Sequence, residues 1–425
     1  MKNTINIALV VENISKNMGG EALKIFMYLQ KLQEKGISVW LVTHTRVKDE
    51  LREELSVKQF NKTLFVDDVK LQILLYKISL FFPLRIRELI FGQIIHLISQ
   101  IESKKIVKEL IKSQNIQVVF QPTPNTPFAP SALYDLGVPV VIGPLNGGMT
   151  FPPGFQLDSP LISGVLRVGQ LLTYILNSWM PGKLKADEII VANPRTKKLL
   201  PKGYQGRVHE NIIECGVDLS NFTSSRAKPC DNNIIRFVYT GRLVDWKGVN
   251  YLLDAFKKLL SQVDATLHII GEGEERQKLE EQSKLLELGD SIEFLGWMKH
   301  DEIMKHLLNC DVFVMPSLRE SCGNSVLEAM VLGLPVIVAD WGGPGIIVDS
   351  TCGIKIEPSS PVEYVNGLAE AMIKLALSPD MRIGMGQKGR KRIIEQNYDW
   401  DSKIDYLIKL FEECVQKPQA ASIKE

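Results

Sequence analysis

Short apolar runs alternate along the chain with longer stretches in which apolar residues recur every three or four positions. Short runs of this kind predict buried strands of parallel sheets, and the longer stretches predict the helices that join them. The first predicted helix ends at Gly36, a residue suited to the position after a helix. In the first half of the chain the predicted strands lie at 5–11, 37–42, 118–120, 138–142 and 189–191.

The second half of the chain repeats this alternation after a polar stretch, 218–233, that lacks periodicity as linkers do. We therefore predict an α/β fold of two doubly wound, Rossmann-like domains that face each other across a cleft. The first domain is expected over residues 1–218 and the second over 219–399. The predicted strands of the second half lie at 236–240, 266–270, 292–295, 312–315, 336–339 and 353–356.

Composition excludes several classes of protein. The 425 residues include 50 basic and 49 acidic side chains, so the net charge of +1 gives no support to nucleic-acid binding. The chain has no long uncharged apolar window, so we expect no transmembrane helix, and its N-terminus leads directly into a strand rather than a signal peptide. The six cysteines and six histidines lack metal-ligand spacing, which favours reduced thiols in a cytoplasmic enzyme without a bound metal.

Two stretches, 71–101 and 161–184, are more apolar than the rest of the chain. Lys77, Arg85 and Arg87 interrupt the first of them. We favour the interpretation that both stretches are helices covering a sheet. The alternative is that they are basic amphipathic helices lying on a membrane surface, which would attach the protein peripherally to the inner leaflet.

The strongest candidate for chemistry is the segment 316–336, which holds Glu320 and Glu328 between two predicted strands. In open α/β sheets, ligands bind at loops that follow the carboxyl ends of strands. The helix after this loop presents backbone N–H groups and a partial positive charge to it. This arrangement predicts a phosphorylated, polyhydroxylated ligand. The loop between the two glutamates contains Ser321, Cys322, Gly323, Asn324 and Ser325.

Three glycine-containing turns are further candidates. Arg242 and Lys247 lie five residues apart between Gly241 and Gly248, where they can reach a pyrophosphate or form a solvated basic turn. Gly271 opens a turn that begins like a dinucleotide-binding fingerprint, but Arg276 replaces the third glycine, so we interpret it as a tight turn beside a ligand. Gly19 and Gly20 precede the first helix and either admit a phosphate or sugar or form a flexible turn.

Together these residues resemble the retaining GT-B glycosyltransferases, in particular the large family four of bacterial surface-polysaccharide and glycolipid enzymes. The resemblance covers nearly the whole chain. Its most specific part is Glu320 to Glu328, which is similar to the Glu-x7-Glu signature of that family. The other landmarks are Gly19-Gly20, 214–218, the Gly241–Gly248 turn and the Gly271–Arg276 turn.

The resemblance implies a role for each matched residue. Glu328 would accept hydrogen bonds from the ribose of a UDP- or GDP-linked sugar, and Glu320 would contact the donor sugar. The backbone amides of Ser321 to Ser325 would hold the sugar and phosphate. Arg242 and Lys247 would bind the diphosphate without a metal or other cofactor. The acceptor would be a saccharide or a lipid-linked saccharide, the configuration of the sugar would be retained, and a C-terminal helix at about 400–415 would pack back on the first domain.

The chain departs from the family pattern in two loops. Many relatives have a histidine in the first domain near the donor sugar, whereas the comparable strand end here reads Gln121–Thr126, with Asn125 as the candidate replacement. Relatives also often have Gly-Gly-x-x-Glu where this chain has Gly342–Ile346. Two rival functions are a nucleotide-sugar epimerase of the same fold and a non-catalytic partner subunit. The Glu-x7-Glu spacing favours transfer over the epimerase, and the presence of Glu320, Lys247 and Arg242 favours it over the non-catalytic subunit.

Overall fold

The computed structural model describes residues 5–18, 20–82, 91–155, 175–219 and 234–416, which form two compact units. The N-terminal unit contains the described residues within 1–148, 159–214 and 403–425. The C-terminal unit contains those within 149–158 and 215–402. The end of the chain thus returns to the N-terminal unit, and the described residues of the short segment 149–158 pack with the C-terminal unit.

The N-terminal unit is built on a parallel sheet of seven strands in the order β3-β2-β1-β4-β5-β6-β7. The order reverses between β1 and β4, which defines a doubly wound sheet and places its topological switch point there. The strands are β1 Asn6–Val10, β2 Ser38–His44, β3 Thr63–Val66, β4 Val118–Gln121, β5 Val140–Leu145, β6 Glu188–Val191 and β7 Arg207–His209.

The C-terminal unit has a parallel sheet of six strands in the order β10-β9-β8-β11-β12-β13, with its switch point between β8 and β11. The prediction of two doubly wound α/β sheets is therefore confirmed. The strands are β8 Ile235–Thr240, β9 Ala265–Ile270, β10 Ile292–Gly296, β11 Val312–Met315, β12 Val336–Ala339 and β13 Gly353–Ile356.

Helices connect most of the strands and cover the sheets. In the N-terminal unit they are α1 Gly20–Glu34, α2 Lys48–Glu54, α3 Val57–Phe60, α4 Lys70–Ser79, α5 Gln93–Gln114, α6 Gly182–Lys185 and α7 Pro194–Lys198. The others are α8 Val249–Leu260, α9 Arg276–Leu285, α10 His300–Leu307, α11 Asn324–Val331, α12 Gly342–Ile347, α13 Pro361–Ala376, α14 Pro379–Glu395 and α15 Trp400–Gln416.

Two of the strands, β3 and β7, have no counterpart among the predicted apolar runs. Both lie at the edges of the seven-stranded sheet, where one side of the strand has no neighbour among the described strands. Leu64 and Phe65 in β3, and Val208 and His209 in β7, are only half-buried. An edge strand that buries little surface needs only a short apolar run, so its sequence signal is weak.

The C-terminal helix α15 packs on the N-terminal unit through its later turns. Phe411 lies against Phe120 of β4 with ring centroids 5.3 Å apart. The ammonium of the buried Lys403 donates a hydrogen bond to the carbonyl oxygen of Ile213 at 2.8 Å. These contacts join the last helix to the centre of the seven-stranded sheet.

The apolar stretches lie partly outside the described residues, because 83–90 and 156–174 are not described. We favoured helices that cover a sheet, and α5 is such a helix, because it contacts β1, β2 and β3. Helix α4 packs on α5 instead, where Gln72 donates a hydrogen bond to the Ser99 hydroxyl at 2.8 Å. The outer face of α4 keeps apolar side chains in solvent. Within the described ranges, no helix has the length and apolar character required to cross a membrane.

Lys183 in α6 is a buried cation of the N-terminal unit. Its side chain is 1% exposed, and its Nζ atom donates a hydrogen bond to the carbonyl oxygen of Thr126 at 2.5 Å. Burial disfavours the charged form and lowers the pKa of Lys183 to about 7. At neutral pH the folded protein therefore holds this side chain at the point of losing its proton.

We predict that Lys183 makes the free energy of unfolding rise with pH between about 7 and about 10. In this window the unfolded chain binds a proton at Lys183 that the folded chain has released, so the slope is up to about 1.4 kcal/mol per pH unit. Denaturant unfolding across this window should show the rise in the native protein, and Lys183→Met should remove it. The control is Lys185→Met, at a partly exposed lysine of the same helix that pairs with Asp135. An unchanged slope in Lys183→Met would contradict the prediction.

Candidate functional site

The loop that follows β11 lies at the switch point of the six-stranded sheet and is held on both sides by backbone hydrogen bonds. The amide of Leu318 donates to the carbonyl oxygen of Trp246 at 2.9 Å, and the amide of Gly343 donates to that of Glu320 at 2.8 Å. The loop ends at Gly323, whose φ of 100° is readily accessible only to glycine. Helix α11 starts immediately afterwards, so its N-terminus points into this group of loops.

Glu320 and Lys247 form an ion pair across the switch point. Lys247 lies in a 3₁₀ turn after β8, and its side chain is 16% exposed. Glu320 lies in the loop after β11, and its side chain is 17% exposed. Beside them, Tyr239 is fully buried at the end of β8, and its hydroxyl donates to the carbonyl oxygen of Arg242 at 3.0 Å. Burial, and then the negative charge of Glu320, raise the pKa of Tyr239 far above its ordinary value, so it stays protonated.

The turn between β8 and α8 carries two cations, of which one is paired with a carboxylate. Lys247 is paired with Glu320, whereas Arg242 is exposed and forms no ion pair with any residue in the described part of the chain. Gly248 has a φ of 67°, and a Cβ atom there would meet the carbonyl oxygen of Pro316. The close approach of this turn to the loop after β11 is thus possible because residue 248 is glycine.

Glu328 is held by a residue that the sequence analysis did not select. His300, the first residue of α10, places its Nε2 atom 3.0 Å from the Oε1 atom of Glu328 on α11. The hydrogen bond to Glu328 is the main cause of a raised pKa for His300. No motif marks His300, which lies 28 residues before Glu328 in the chain. Only the tertiary structure brings the two side chains together.

The Gly271 turn packs directly on the Gly241 turn. Gly271 has a φ of 142°, its amide donates to the carbonyl oxygen of Gly296 at 2.8 Å, and a Cβ atom there would meet the carbonyl oxygen of Gly241. Arg276, the residue that breaks the dinucleotide fingerprint, forms ion pairs with Glu272 and Glu280. Its side chain is therefore used within the turn and the helix that follows.

The remaining loop residues differ in exposure. Cys322 and Gly323 are buried, Ser325 is half-buried, and Ser321 and Asn324 are exposed at the start of α11. The N-terminus of this helix thus combines polar side chains with the backbone N–H groups of its first turn, which have no partner inside the helix. Such a helix end, beside Lys247, is suited to an anionic ligand.

The expectation of reduced thiols is wrong for two of the cysteines. Cys215 and Cys322 form a disulfide with their Cα atoms 6.4 Å apart, whereas Cys310, Cys352 and Cys414 are buried thiols outside any disulfide. The bond ties the loop after β11 to the beginning of the C-terminal unit. The two cysteines are 107 residues apart in the chain, so their spacing gave no sign that they meet.

The predicted site residues of the N-terminal unit lie in loops and at a helix start. Gly20 is the first residue of α1, and Gly19 lies outside the described residues. Asn125 is half-buried after β4, and its carbonyl oxygen accepts a hydrogen bond from the amide of Asn146 at 2.6 Å. The side chain of Asn146 in turn donates to both carboxylate oxygens of the buried Glu214 at 3.0 Å.

A pocket lined by polar and apolar side chains, two histidines among them, lies at the switch point of the seven-stranded sheet. Glu12, His44, His96 and Gln121 are among its lining residues. Glu12 is hydrogen-bonded to His96 and ion-paired with Arg46 at 3.0 Å. Burial alone would raise the pKa of Glu12, but the hydrogen bond and charge of His96 hold it below its ordinary value. Glu12, His44 and Gln121 lie at or just after the ends of three strands, and His96 lies on α5, so their sequence spacing carries no motif.

Solved structures with the same two-sheet architecture define the class of fold. The chain superposes on a glycosyltransferase from Rickettsia africae with a TM-score of 0.62 and 14% identity, covering 98% of this chain and all of that one. It superposes on Anabaena HepE in complex with UDP with a TM-score of 0.60 and 15% identity, covering 96% of this chain and all of that one. The fold is that of the GT-B glycosyltransferases.

Sequence comparison is more specific for the C-terminal unit. Residues 222–392 match the family model of the glycosyl transferases group 1. The chain is 33% identical over 183 residues to an uncharacterized glycosyltransferase of Methanocaldococcus jannaschii, covering 43% of this chain and 45% of that protein. It is 29% identical over 249 residues to the D-inositol 3-phosphate glycosyltransferase of Corynebacterium jeikeium, covering 54% and 58%. The chain thus spans about half the length of the curated relatives it matches.

Proposed function

We propose that the protein is a retaining, metal-independent hexosyltransferase that uses a UDP- or GDP-linked sugar as donor. The observation that carries the proposal is the Lys247–Glu320 pair, which lies across the switch point beside the N-terminus of α11 and within the segment that matches the family. The nature of the donor is supported by Anabaena HepE, which has been solved in complex with UDP and glucose.

In this proposal the diphosphate binds between α11 and the turn after β8. The first backbone N–H groups of α11 donate to phosphate oxygens, and the helix dipole favours the negative charge. Arg242 is exposed and supplies a bidentate cation. Lys247 has three donors, so its ammonium can keep its bond to Glu320 while it reaches a phosphate oxygen.

The two glutamates take the roles that their partners allow. One oxygen of Glu328 is bound by His300, and we assign the other to the ribose hydroxyls. Glu320 contacts hydroxyls of the donor sugar, because its pairing with Lys247 holds the carboxylate beside the bound diphosphate. Ser321 to Ser325 provide the amides and hydroxyls between these two ends of the donor, and the Gly271 turn borders the site.

The proposed chemistry is displacement of the nucleoside diphosphate from the same face as the acceptor attacks. An oxocarbenium-like transition state depends mainly on the departure of the leaving group, and Arg242 and Lys247 stabilise the charge that develops on it. Because the acceptor attacks from the face that the leaving group vacates, the anomeric configuration is retained. The departing phosphate oxygen accepts the proton of the acceptor hydroxyl. The chain has one Asp-x-Asp triplet, Asp399–Asp401, and it lies at the start of α15 rather than in the loops of the proposed donor site. There Asp399 accepts a hydrogen bond from the amide of Ser402 at 2.9 Å.

We propose a saccharide or lipid-linked saccharide as acceptor, in bacterial surface-polysaccharide or glycolipid synthesis. The proposal is supported by relatives named for such work, among them the lipopolysaccharide core biosynthesis glycosyltransferase LpsE of Rhizobium meliloti, 29% identical over 189 residues. Helix α4 adds a structural reason. Leu71 and Leu74 are more than half exposed on it, Phe81 follows at 89%, and Lys70 and Lys77 are exposed beside them. We assign this face to peripheral contact with an anionic membrane on the cytoplasmic side.

We predict that a nucleotide or nucleotide sugar of the UDP or GDP series stabilises the protein against heat. A ligand at about a hundred times its Kd adds about 2.7 kcal/mol to the free energy of unfolding. A thermal-shift panel of UDP, GDP, ADP and their sugars measures this, with Glu328→Ala as the variant expected to reduce the shift. If no nucleotide raises the melting temperature, the proposed donor class is wrong.

Lys247→Ala is expected to lower kcat by at least about tenfold, because the variant loses one cation that stabilises the leaving group. The matched control is Lys257→Ala, at an exposed lysine of α8 in the same unit, which should keep the native rate. Turnover that stays native in Lys247→Ala would refute its assigned role. The anomeric configuration of the product, measured by NMR, tests retention, and formation of an epimer of the donor without acceptor would favour the epimerase instead.

The α4 face should bind vesicles that contain anionic lipid at low salt, as measured by co-sedimentation. Leu74→Glu places a negative charge among the exposed apolar side chains and should weaken this binding. Leu285→Glu is the matched control, because Leu285 is 86% exposed in the C-terminal unit. Absence of binding by the native protein, or equal loss in both variants, would rule out this surface as the membrane contact.

A further inference from the structure

Three metal-binding side chains meet in the C-terminal unit, and the proposed donor site uses none of them. His268 lies in β9, His306 lies near the end of α10, and Cys310 follows that helix directly before β11. Their nearest ligand atoms all lie within 4.8 Å of one another. The Nδ1 atom of His268 and the Nε2 atom of His306 are 2.7 Å apart.

The distances match what a single divalent ion can bridge. A tetrahedral zinc site has metal–nitrogen bonds of about 2.0–2.1 Å and metal–sulfur bonds of about 2.3 Å, which separates its ligand atoms by about 3.3–3.8 Å. The two imidazole nitrogens are closer than this, at 2.7 Å, and every separation in the cluster is at most 4.8 Å. Rotation of the three side chains is the adjustment that we expect on binding of one ion.

The backbone around the cluster favours a chelating arrangement. His306 lies in the last turn of α10 and Cys310 lies three residues beyond the end of that helix, so a short segment of backbone joins the two side chains. The amide of Cys310 donates to the carbonyl oxygen of Leu307 at 3.1 Å, and its thiol lies 3.4 Å from the carbonyl oxygen of His306. Cys310 is fully buried, so the side chains packed around it restrict its position.

A carboxylate on the same face of the sheet is the candidate for a fourth ligand. Glu293 of β10 is the register partner of His268 in the neighbouring parallel strand, so the two side chains lie on the same face of the sheet. A thiolate and a carboxylate together balance the charge of a divalent ion, and two imidazoles complete a set typical of zinc and cobalt.

We propose that His268, His306 and Cys310, with Glu293 as the fourth ligand, form a binding site for Zn²⁺ or another divalent metal that prefers thiolate and imidazole. The ion links the end of α10 to β9. Because His300 lies at the other end of α10 and bonds Glu328, the metal has a structural role in fixing the helix that carries His300. The site is separate from the proposed catalysis, in which no metal takes part.

The test is titration of the metal-free full-length chain with Co²⁺, followed by competition with Zn²⁺. We expect one equivalent to bind with a thiolate-to-cobalt charge-transfer absorption that Zn²⁺ abolishes. Cys310→Ser should lose this absorption, and His306→Ala should weaken binding by about tenfold or more. Cys352→Ser is the matched control, because Cys352 is a second buried free cysteine of the same unit. Absence of binding, or an absorption that persists in Cys310→Ser, would overturn the proposal.

A second measurement covers variants that fail to fold. Zn²⁺ should raise the melting temperature of the native protein, and a chelator should reverse the increase. A melting temperature that responds to neither addition would also overturn the proposal. Both readouts are independent of glycosyl transfer, so they stand or fall separately from the proposed function.

Discussion

The parallel direction of the strands is the constraint on which both candidate sites depend. In a parallel sheet all carboxyl ends lie at one edge, and the reversal of strand order opens a crevice there. Lys247 follows β8 and Glu320 follows β11, the two strands that flank the reversal in the six-stranded sheet. In the seven-stranded sheet, Glu12 follows β1 and Gln121 ends β4, again on either side of the reversal.

The Lys247–Glu320 pair shows how backbone geometry prepares side-chain chemistry. The turn and the loop that carry the two residues approach closely because residue 248 is glycine, and hydrogen bonds from Leu318 and Gly343 fix the loop on both sides. A partly buried ion pair gains more from its charges than a fully solvated one, because the surrounding dielectric is lower. The proposed diphosphate would enter next to a cation that is already oriented.

Much of the fold followed from the apolar pattern, since strands buried on both faces need continuous apolar runs such as Val312–Met315 and Val336–Ala339. The edge strands β3 and β7 were missed because they bury less surface. Within the candidate site, the loop 316–323 and the Gly241 turn could be located, because each follows a strong strand signal. Their roles in donor binding remain predictions that the structure makes geometrically reasonable.

The sequence by itself determined most of the secondary structure. It located all strands except β3 and β7, predicted the helices that join them, and identified the polar residues at the ends of the strands. Local periodicity carries this information because burial repeats along each element. Tertiary structure alone decided the long-range partners. His300 meets Glu328, Cys215 meets Cys322, and His268 meets His306 only because separate elements pack side by side. No local pattern encodes such contacts, because the local structure around each residue can form without its partner.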